Sequence, residues 1–261
     1  MIIKSLLRHG SIIKSYVRRD FTGRYKGSIL GSFWTVINPL VILGIYTFVF
    51  SGILKIRFGN EGGLLNFAIY TFCGMIAWTA FSDAVSRSAT IISENANLVK
   101  KVVFPLETLP VYVALSGLFT QIIGSIILVI IVLITKLQLH WTLIFLPLLM
   151  SLQLLLTIGL SWFIASLGVF IKDISHIIGL VLLAWMFLTP IMYPESMVPE
   201  KFKFILLNPL ATLVSSYRLI IIEGQLPDFV RLIVLSFFII AIFCAGYGFF
   251  GKAKTAFSDV V

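Results

Sequence analysis

Six stretches of this chain, residues 33–54, 64–92, 109–135, 142–171, 174–193 and 229–250, stay mostly apolar for about 20 residues or more. That is the length of helix needed to cross the ~30 Å hydrocarbon core of a bilayer. Lipid offers backbone groups no hydrogen-bond partner, so each stretch has to satisfy its own N–H and C=O groups as a helix. With 59% hydrophobic residues, 12% charged residues and a mean hydropathy of +1.05, the chain has too much apolar surface for a water-soluble globule. The expected fold class is all-α integral membrane, a single domain over residues 1–261 with six transmembrane helices. Cys73 and Cys244 both fall inside apolar runs, which implies no disulfide framework.

Residues 1–31 read as a cytoplasmic amphipathic interface helix. At 100° per residue Ile2, Leu6, Ile13, Tyr16 and Val17 share one face, and Lys4, Arg8, Lys14, Arg18 and Arg19 the other. Such a helix suits the surface of an anionic leaflet. Asp20 is the exception, lying on the apolar side. The stretch from Arg24 to Trp34 then turns the chain from the surface into hydrocarbon. Tyr25 and Trp34 are interface-seeking rings, Lys26 can snorkel, and Gly27 and Gly31 permit a sharp corner.

Residues 194–228 contain an apolar middle that could be mistaken for a seventh span. Asn208-Pro209 breaks it and Arg218 lies inside it. It reads as a re-entrant hairpin or a pair of short helices on the outer side, between spans five and six. With the N-terminus inside, the inner segments hold 13 of the 20 Lys and Arg residues, seven of them before Phe33. The net charge of +9 therefore marks cytoplasmic flanks rather than nucleic-acid binding, and both termini are expected in the cytoplasm.

Two nucleotide-binding patterns match in form only. Gly246-Tyr247-Gly248-Phe249-Phe250-Gly251 fits G-x-G-x-x-G, and with Lys252-Ala253 it approaches a P-loop. Ala253 stands where a magnesium-binding Ser or Thr is needed, and no strand precedes the motif. A small-residue helix face is the better reading. His9, His140 and His176 show no metal-ligand spacing, and no nucleophile–base–acid arrangement is suggested. The chain reads as a non-enzyme without its own cofactor.

Asp83 and Arg87 stand at i,i+4 near the end of the second run and can pair. An ionisable group at membrane depth costs on the order of 3 kcal/mol, so the two face protein or water. They serve either as an inter-helix ion pair or as the lining of a polar path. Trp34, Tyr46, Tyr70, Trp78, Phe81, Trp185 and Tyr193 are candidates for stacking on sugars along such a path, against the plainer reading of interfacial belts and helix packing. The cytoplasmic loop through Lys100-Lys101-Val102-Val103-Phe104-Pro105 to Glu107 is longer than a connector requires and carries anchoring apolar side chains. Residues 94–107 are long enough for a helix, with Glu94, Asn97, Lys100, Lys101, Val103, Phe104 and Glu107 as contacts for a partner. Arg24, Tyr25 and Lys26 offer a second contact.

The stretch from Arg24 to Trp34 with Asn38-Pro39-Leu40 resembles the start of the permease subunits of ABC-2 type polysaccharide exporters. Residues 100–110 agree, as do Phe170-Ile171-Lys172-Asp173-Ile174 with Thr189-Pro190-Ile191-Met192-Tyr193, and Asn208-Pro209 with Tyr217-Arg218 and Gly224. Lys172 departs from the Arg that many relatives carry there. The resemblance implies a homodimeric permease in the bacterial cytoplasmic membrane, carrying two ATP-binding cassette subunits that hold ATP and Mg2+. It implies a lipid-linked O-antigen, teichoic acid or capsular chain as the substrate, cytoplasmic coupling elements, and short outer-side helices. A permease for a drug or small lipid, an ATP-independent channel or flippase, and a membrane glycan enzyme are the rivals. The absence of a visible internal repeat weighs against a secondary transporter.

The charge asymmetry yields a direct topological test. Cysteines introduced at Glu200 and Lys254 should react with a membrane-impermeant thiol reagent from opposite sides of the membrane. Labelling of both from one side would overturn the six-span arrangement.

Overall fold

The computed structural model of the chain describes residues 8–23, 33–53, 55, 63–100 and 104–260. Regular structure among these residues is helical throughout. In chain order the α-helices are α1 (Gly10–Gly23), α2 (Trp34–Tyr46), α3 (Leu64–Ser88), α4 (Ile91–Glu94), α5 (Ala96–Val99), α6 (Thr108–Lys136), α7 (Leu146–Phe170), α8 (Ile174–Leu188), α9 (Pro209–Arg218), α10 (Phe229–Ala253) and α11 (Phe257–Val260).

Four helical stretches are long and apolar enough to cross a bilayer: Leu64–Ser88, Thr108–Lys136, Trp141–Phe170 and Phe229–Ala256. They correspond to the second, third, fourth and sixth apolar runs. The other two runs form shorter helices, for reasons written in their sequences. α2 has Pro39 inside it and passes into π-helical turns over Thr47–Ile53. α8 stops at Thr189, because Pro190 has no N–H to donate and disfavours α geometry in the residue before it. A fifth crossing arises only if the bent pair Glu200–Leu207 and Pro209–Glu223, which meet at 88°, is taken as one broken span. Asn208 makes that corner. Its Oδ1 accepts from the Leu210 N–H at 3.0 Å and its Nδ2 donates to Thr189 Oγ1 at 2.8 Å. Pro209 occupies the first helical position, where a missing N–H costs nothing.

The amphipathic reading of the N-terminal segment holds over Ile13–Arg19, but its apolar face has a different neighbour. Ile13 is buried and Tyr16 and Val17 are half-buried, while Lys14, Arg18 and Arg19 are exposed. The covered face lies on α6, with the Tyr16 and Tyr112 ring centroids 5.2 Å apart. Protein, rather than lipid alone, thus receives this stripe.

α3 is the most enclosed long helix, with Phe67, Phe72 and Phe81 buried. α7 and α10 are joined by small residues. A Cβ at Gly159 would meet the Phe243 Cα at 2.8 Å, and one at Gly246 would collide with the Gly159 carbonyl oxygen. Van der Waals contact at that range replaces a hydrophobic drive that lipid does not supply. Trp162, fully buried, fills the next layer of this joint against Phe243 and Tyr247, with ring centroids 5.0 and 5.2 Å away. Gly246 thus sits inside a helix pair, as the small-residue reading of the G-x-G-x-x-G match requires.

Gly246→Leu should keep α10 from seating and lower stability by about 1–3 kcal/mol or more. A Cβ at Gly248 would meet nothing within 4 Å, so Gly248→Leu should be tolerated. Thermal unfolding and monodisperse yield in detergent distinguish the two.

Candidate functional site

Inside an apolar bundle every polar side chain needs a partner, so the polar side chains mark where helices are joined. The first such place lies in the middle of the bundle. Gln121 of α6 donates from Nε2 to Gln153 Oε1 of α7 and to the Tyr217 hydroxyl of α9, both at 3.0 Å. Gln153 Nε2 donates to the Ala77 carbonyl of α3 at 2.8 Å. All three side chains are buried.

The second place surrounds Arg218, only 6% exposed at the end of α9. Its Nη1 and Nη2 donate to the carbonyls of Pro190 and Ile191, each at 2.7 Å, and its Nε to the Tyr70 carbonyl at 3.2 Å. The Pro190 and Ile191 carbonyls lie just beyond the end of α8, where the helix supplies them no donor, whereas the Tyr70 carbonyl belongs to the interior of α3. The Tyr70 hydroxyl in turn donates to Glu223 at 2.8 Å.

The third place is the seat of α1. Arg87 of α3 makes a two-pronged ion pair with Asp20, Nη1 standing 3.1 Å from Oδ2 and Nη2 closing on Oδ1. Ser116 of α6 donates to Asp20 Oδ2 at 2.5 Å. Asp83 is 3.6 Å from Arg87, the more distant partner. The i,i+4 pair expected between Asp83 and Arg87 thus exists, but it is secondary to a carboxylate from another helix. Asp20, out of place on its own helix face, is in place against the bundle.

Beside this seat opens a cleft of about 190 Å³ between α2, α3 and α6. Trp34, Asn38, Thr79, Asp83 and Thr120 supply its polar lining and Phe72, Met75 and Ile76 part of its apolar lining. Of the residues considered for a sugar path, Trp34 and Asp83 come together here. Trp78, Phe81 and Trp185 instead form an aromatic cluster, with Phe81 and Trp185 centroids 5.3 Å apart and Phe81 fully buried. Tyr46 packs against the same core. Tyr70 belongs to the Arg218 cage, and Tyr193 donates to the Phe187 carbonyl at 2.9 Å. The aromatic candidates therefore divide among several places.

The fourth place lies at the start of α6, beside the seat of α1, where α4 and α5 stand. Residues 94–107 do not form one helix. Two single-turn helices meet at Asn95, whose Nδ2 donates to the Ile91 carbonyl at 2.8 Å. Asn97 and Lys100 are exposed, and Glu94 accepts from Thr90 Oγ1 at 2.7 Å. Phe104 is half-buried with its ring 6.0 Å from Tyr16 of α1, so it packs inside the chain rather than standing free. Glu107 is a junction. Its carboxylate meets Lys254 Nζ at 2.8 Å, and its carbonyl accepts from Trp162 Nε1 of α7 at 3.0 Å. Burial alone would raise the Glu107 carboxyl, but the hydrogen bond and charge of Lys254 outweigh it and hold the group below its ordinary value. Arg24, Tyr25, Lys26, Lys101 and Val103 lie outside the described residues.

Gln121, Gln153 and Ser116 were not singled out from the sequence, Tyr217 entered only through the family resemblance, and Lys254 only as a tail position. The amides had a signal, each being a polar side chain inside a long apolar run. Lys254 had none, since its tail position reads as an ordinary cytoplasmic charge.

Long apolar helices joined by buried polar side chains define a multi-pass α-helical membrane protein. The chain belongs to the ABC-2 type transporter family, whose model matches residues 12–222, from α1 to the end of the helical turns after α9. It is 27% identical over 263 residues to the O-antigen export system permease protein RfbA of Myxococcus xanthus, covering 100% of this chain and 99% of that one. It is 30% identical over 247 residues to the protein of the same name from Klebsiella pneumoniae, covering 93% and 92% of the two chains. The polysialic acid transport protein KpsM of Escherichia coli is 21% identical over 250 residues, 94% of each chain.

The seat of α1 generates a graded prediction. Asp20→Ala leaves Arg87 without its two-pronged partner and should cost about 3 kcal/mol. The double variant Asp20→Ala/Arg87→Ala should recover part of this loss, and Ser116→Ala should cost about 1 kcal/mol. Thermal unfolding of the four proteins in one detergent gives the comparison.

Proposed function

We propose that this chain is the membrane subunit of an ATP-driven exporter that moves a lipid-linked, O-antigen-like polysaccharide across the bacterial cytoplasmic membrane. It works as a homodimer with two ATP-binding cassette subunits, which hold the ATP and Mg2+. The observation that carries this reading is the end-to-end likeness to two permeases named for O-antigen export, joined to membership of the ABC-2 family. In this reading α2 and α8 complete a six-span domain, both termini are cytoplasmic, and the bent pair around Asn208 re-enters the bilayer from the outer side. The Arg218 cage supports that last point, because it covers a guanidinium whose carbonyl acceptors come from spans two and five.

The geometry also supports a route for the stroke. The segment from Ile91 to Glu107 follows α3 and leads into α6. Through Glu107 it is bonded to Trp162 of α7 and to Lys254 beyond α10. A push there reaches four spans at once. Asn97 and Lys100, both exposed, are the contacts offered to the ATPase subunit, with Arg24–Lys26 as a second contact. The cleft holding Trp34 and Asp83 is the candidate place for a sugar to meet the chain, ring against ring face and hydroxyl against carboxylate.

Cysteines at Asn97 and Lys100 should cross-link to a co-expressed ATP-binding subunit, and the complex should export lipid-linked glycan in proteoliposomes only with ATP. Capture of that subunit from positions in the C-terminal tail, with none from Asn97 or Lys100, would overturn the contact. Glycan export without any ATPase subunit would overturn the mechanism.

A further inference from the structure

Two apolar cavities run into one another on the outside of the bundle. One, about 420 Å³, lies between α1 and α6 and is lined by Ile13, Lys14, Val17, Leu115 and Phe119 among others. The second, about 550 Å³, lies between α6 and α7, with Ile126, Ile130, Met150 and Leu154 in its walls. Leu118 and Ile122 line both, so they form one groove. From Leu115 to Ile130 the groove follows α6 for about 22 Å. One leaflet of hydrocarbon is about 15 Å deep, so a chain lying in the groove is flanked by protein through the whole leaflet.

The two ends of the groove differ in chemistry. The far end is aliphatic apart from Ser125 and Ser151, and the Ser151 hydroxyl donates to its own helix at the Leu148 carbonyl, 2.7 Å away. The near end carries the exposed ammonium of Lys14, with Arg18, also exposed, one turn further along α1. Among the described residues no acidic side chain lines either cavity. A helix from a second copy of the chain seated here would cover Lys14 without offering it a carboxylate from this groove. A lipid with an anionic phosphate supplies the missing charge together with a tail for the aliphatic part.

We propose that this groove is a binding site for an anionic glycerophospholipid of the leaflet on which α1 lies. One acyl chain occupies the space between α6 and α7, and Lys14 holds the phosphate. The lipid then bridges α1 and α7, which α6 separates, and stands as part of the wall behind the Asp20 seat. It is distinct from the transported lipid, since the groove lies on the face of α6 lined by Leu118 and Ile122, whereas the polar cleft uses Gly117, Thr120 and Gly124.

Native mass spectrometry of the detergent-extracted protein, incubated with phosphatidylglycerol or phosphatidylcholine, tests the site. The wild type should retain phosphatidylglycerol about fivefold better than phosphatidylcholine, the factor expected from one basic side chain at an anionic headgroup. Lys14→Glu, a change on an exposed helix face, should abolish that preference while leaving phosphatidylcholine retention unchanged. Ile122→Trp, placed where the cavities meet, should reduce retention of both lipids, and Ile126→Phe should do the same more mildly should the larger change fail to fold. Equal retention of phosphatidylglycerol by the wild type and Lys14→Glu would overturn the proposal. So would an Ile122→Trp protein that keeps its lipid but loses a bound second copy.

Discussion

One glutamine side chain sets the relative heights of several helices. Gln153 reaches the Ala77 carbonyl of α3 with its N–H and receives Gln121 of α6 on its oxygen, while Gln121 also holds the Tyr217 hydroxyl of α9. Apolar contacts between helices in lipid are permissive: a turn of sliding exchanges one aliphatic contact for another at little cost. A buried amide is not permissive, because an unpartnered donor in a low-dielectric interior carries its full desolvation penalty. The carbonyl of Ala77 is itself helical backbone, so the bond fixes α7 to one rung of α3. The rest of the bundle, including the cleft beside α2 and the corner at Asn208, is built from that alignment.

Small residues do the complementary work at the sides. Gly159 and Gly246 bring α7 and α10 close enough for backbone to touch backbone, and Trp162 fills the layer toward the Glu107 end. The result is a rigid pair attached at one end, through Glu107 and Lys254, to the start of α6. Polar bonds fix register and glycines fix distance; between them little is left for the lipid-facing aliphatic residues beyond solubility in the bilayer.

Much of this was legible in the residues, and the exceptions have physical causes. The helical class and the long spans follow from apolar length alone. The corner at Asn208-Pro209 was legible in its proline, but the stop of α8 at Leu188 was not, since the fifth apolar run reads on through Pro190 to residue 193. The partner of Asp20 was not legible, although its misplacement was. An acidic residue on an apolar helix face says that it is satisfied by something, but Arg87 lies far along the chain and its nearer neighbour in sequence, Asp83, competes for the same inference. Nor was the neighbour of Phe104 legible: an apolar side chain in a loop signals a packing surface equally well whether the surface is another protein or, as with Tyr16, the chain's own first helix. The aromatic residues could not be sorted by sequence at all. Trp78 and Trp34 have the same chemistry, and only the packing puts one in the core and the other at the cleft.

The Arg218 cage has a further consequence in the order of synthesis. Its acceptors, at Tyr70, Pro190 and Ile191, all precede it in the chain. When the ribosome delivers the guanidinium, the carbonyls that will receive it already exist, two of them in the segment immediately before the bent pair. This buried guanidinium never has to wait for a partner still to be made. α10 is then the last long helix to arrive, and it closes on a groove at Gly159 that nothing earlier in the chain needs to fill.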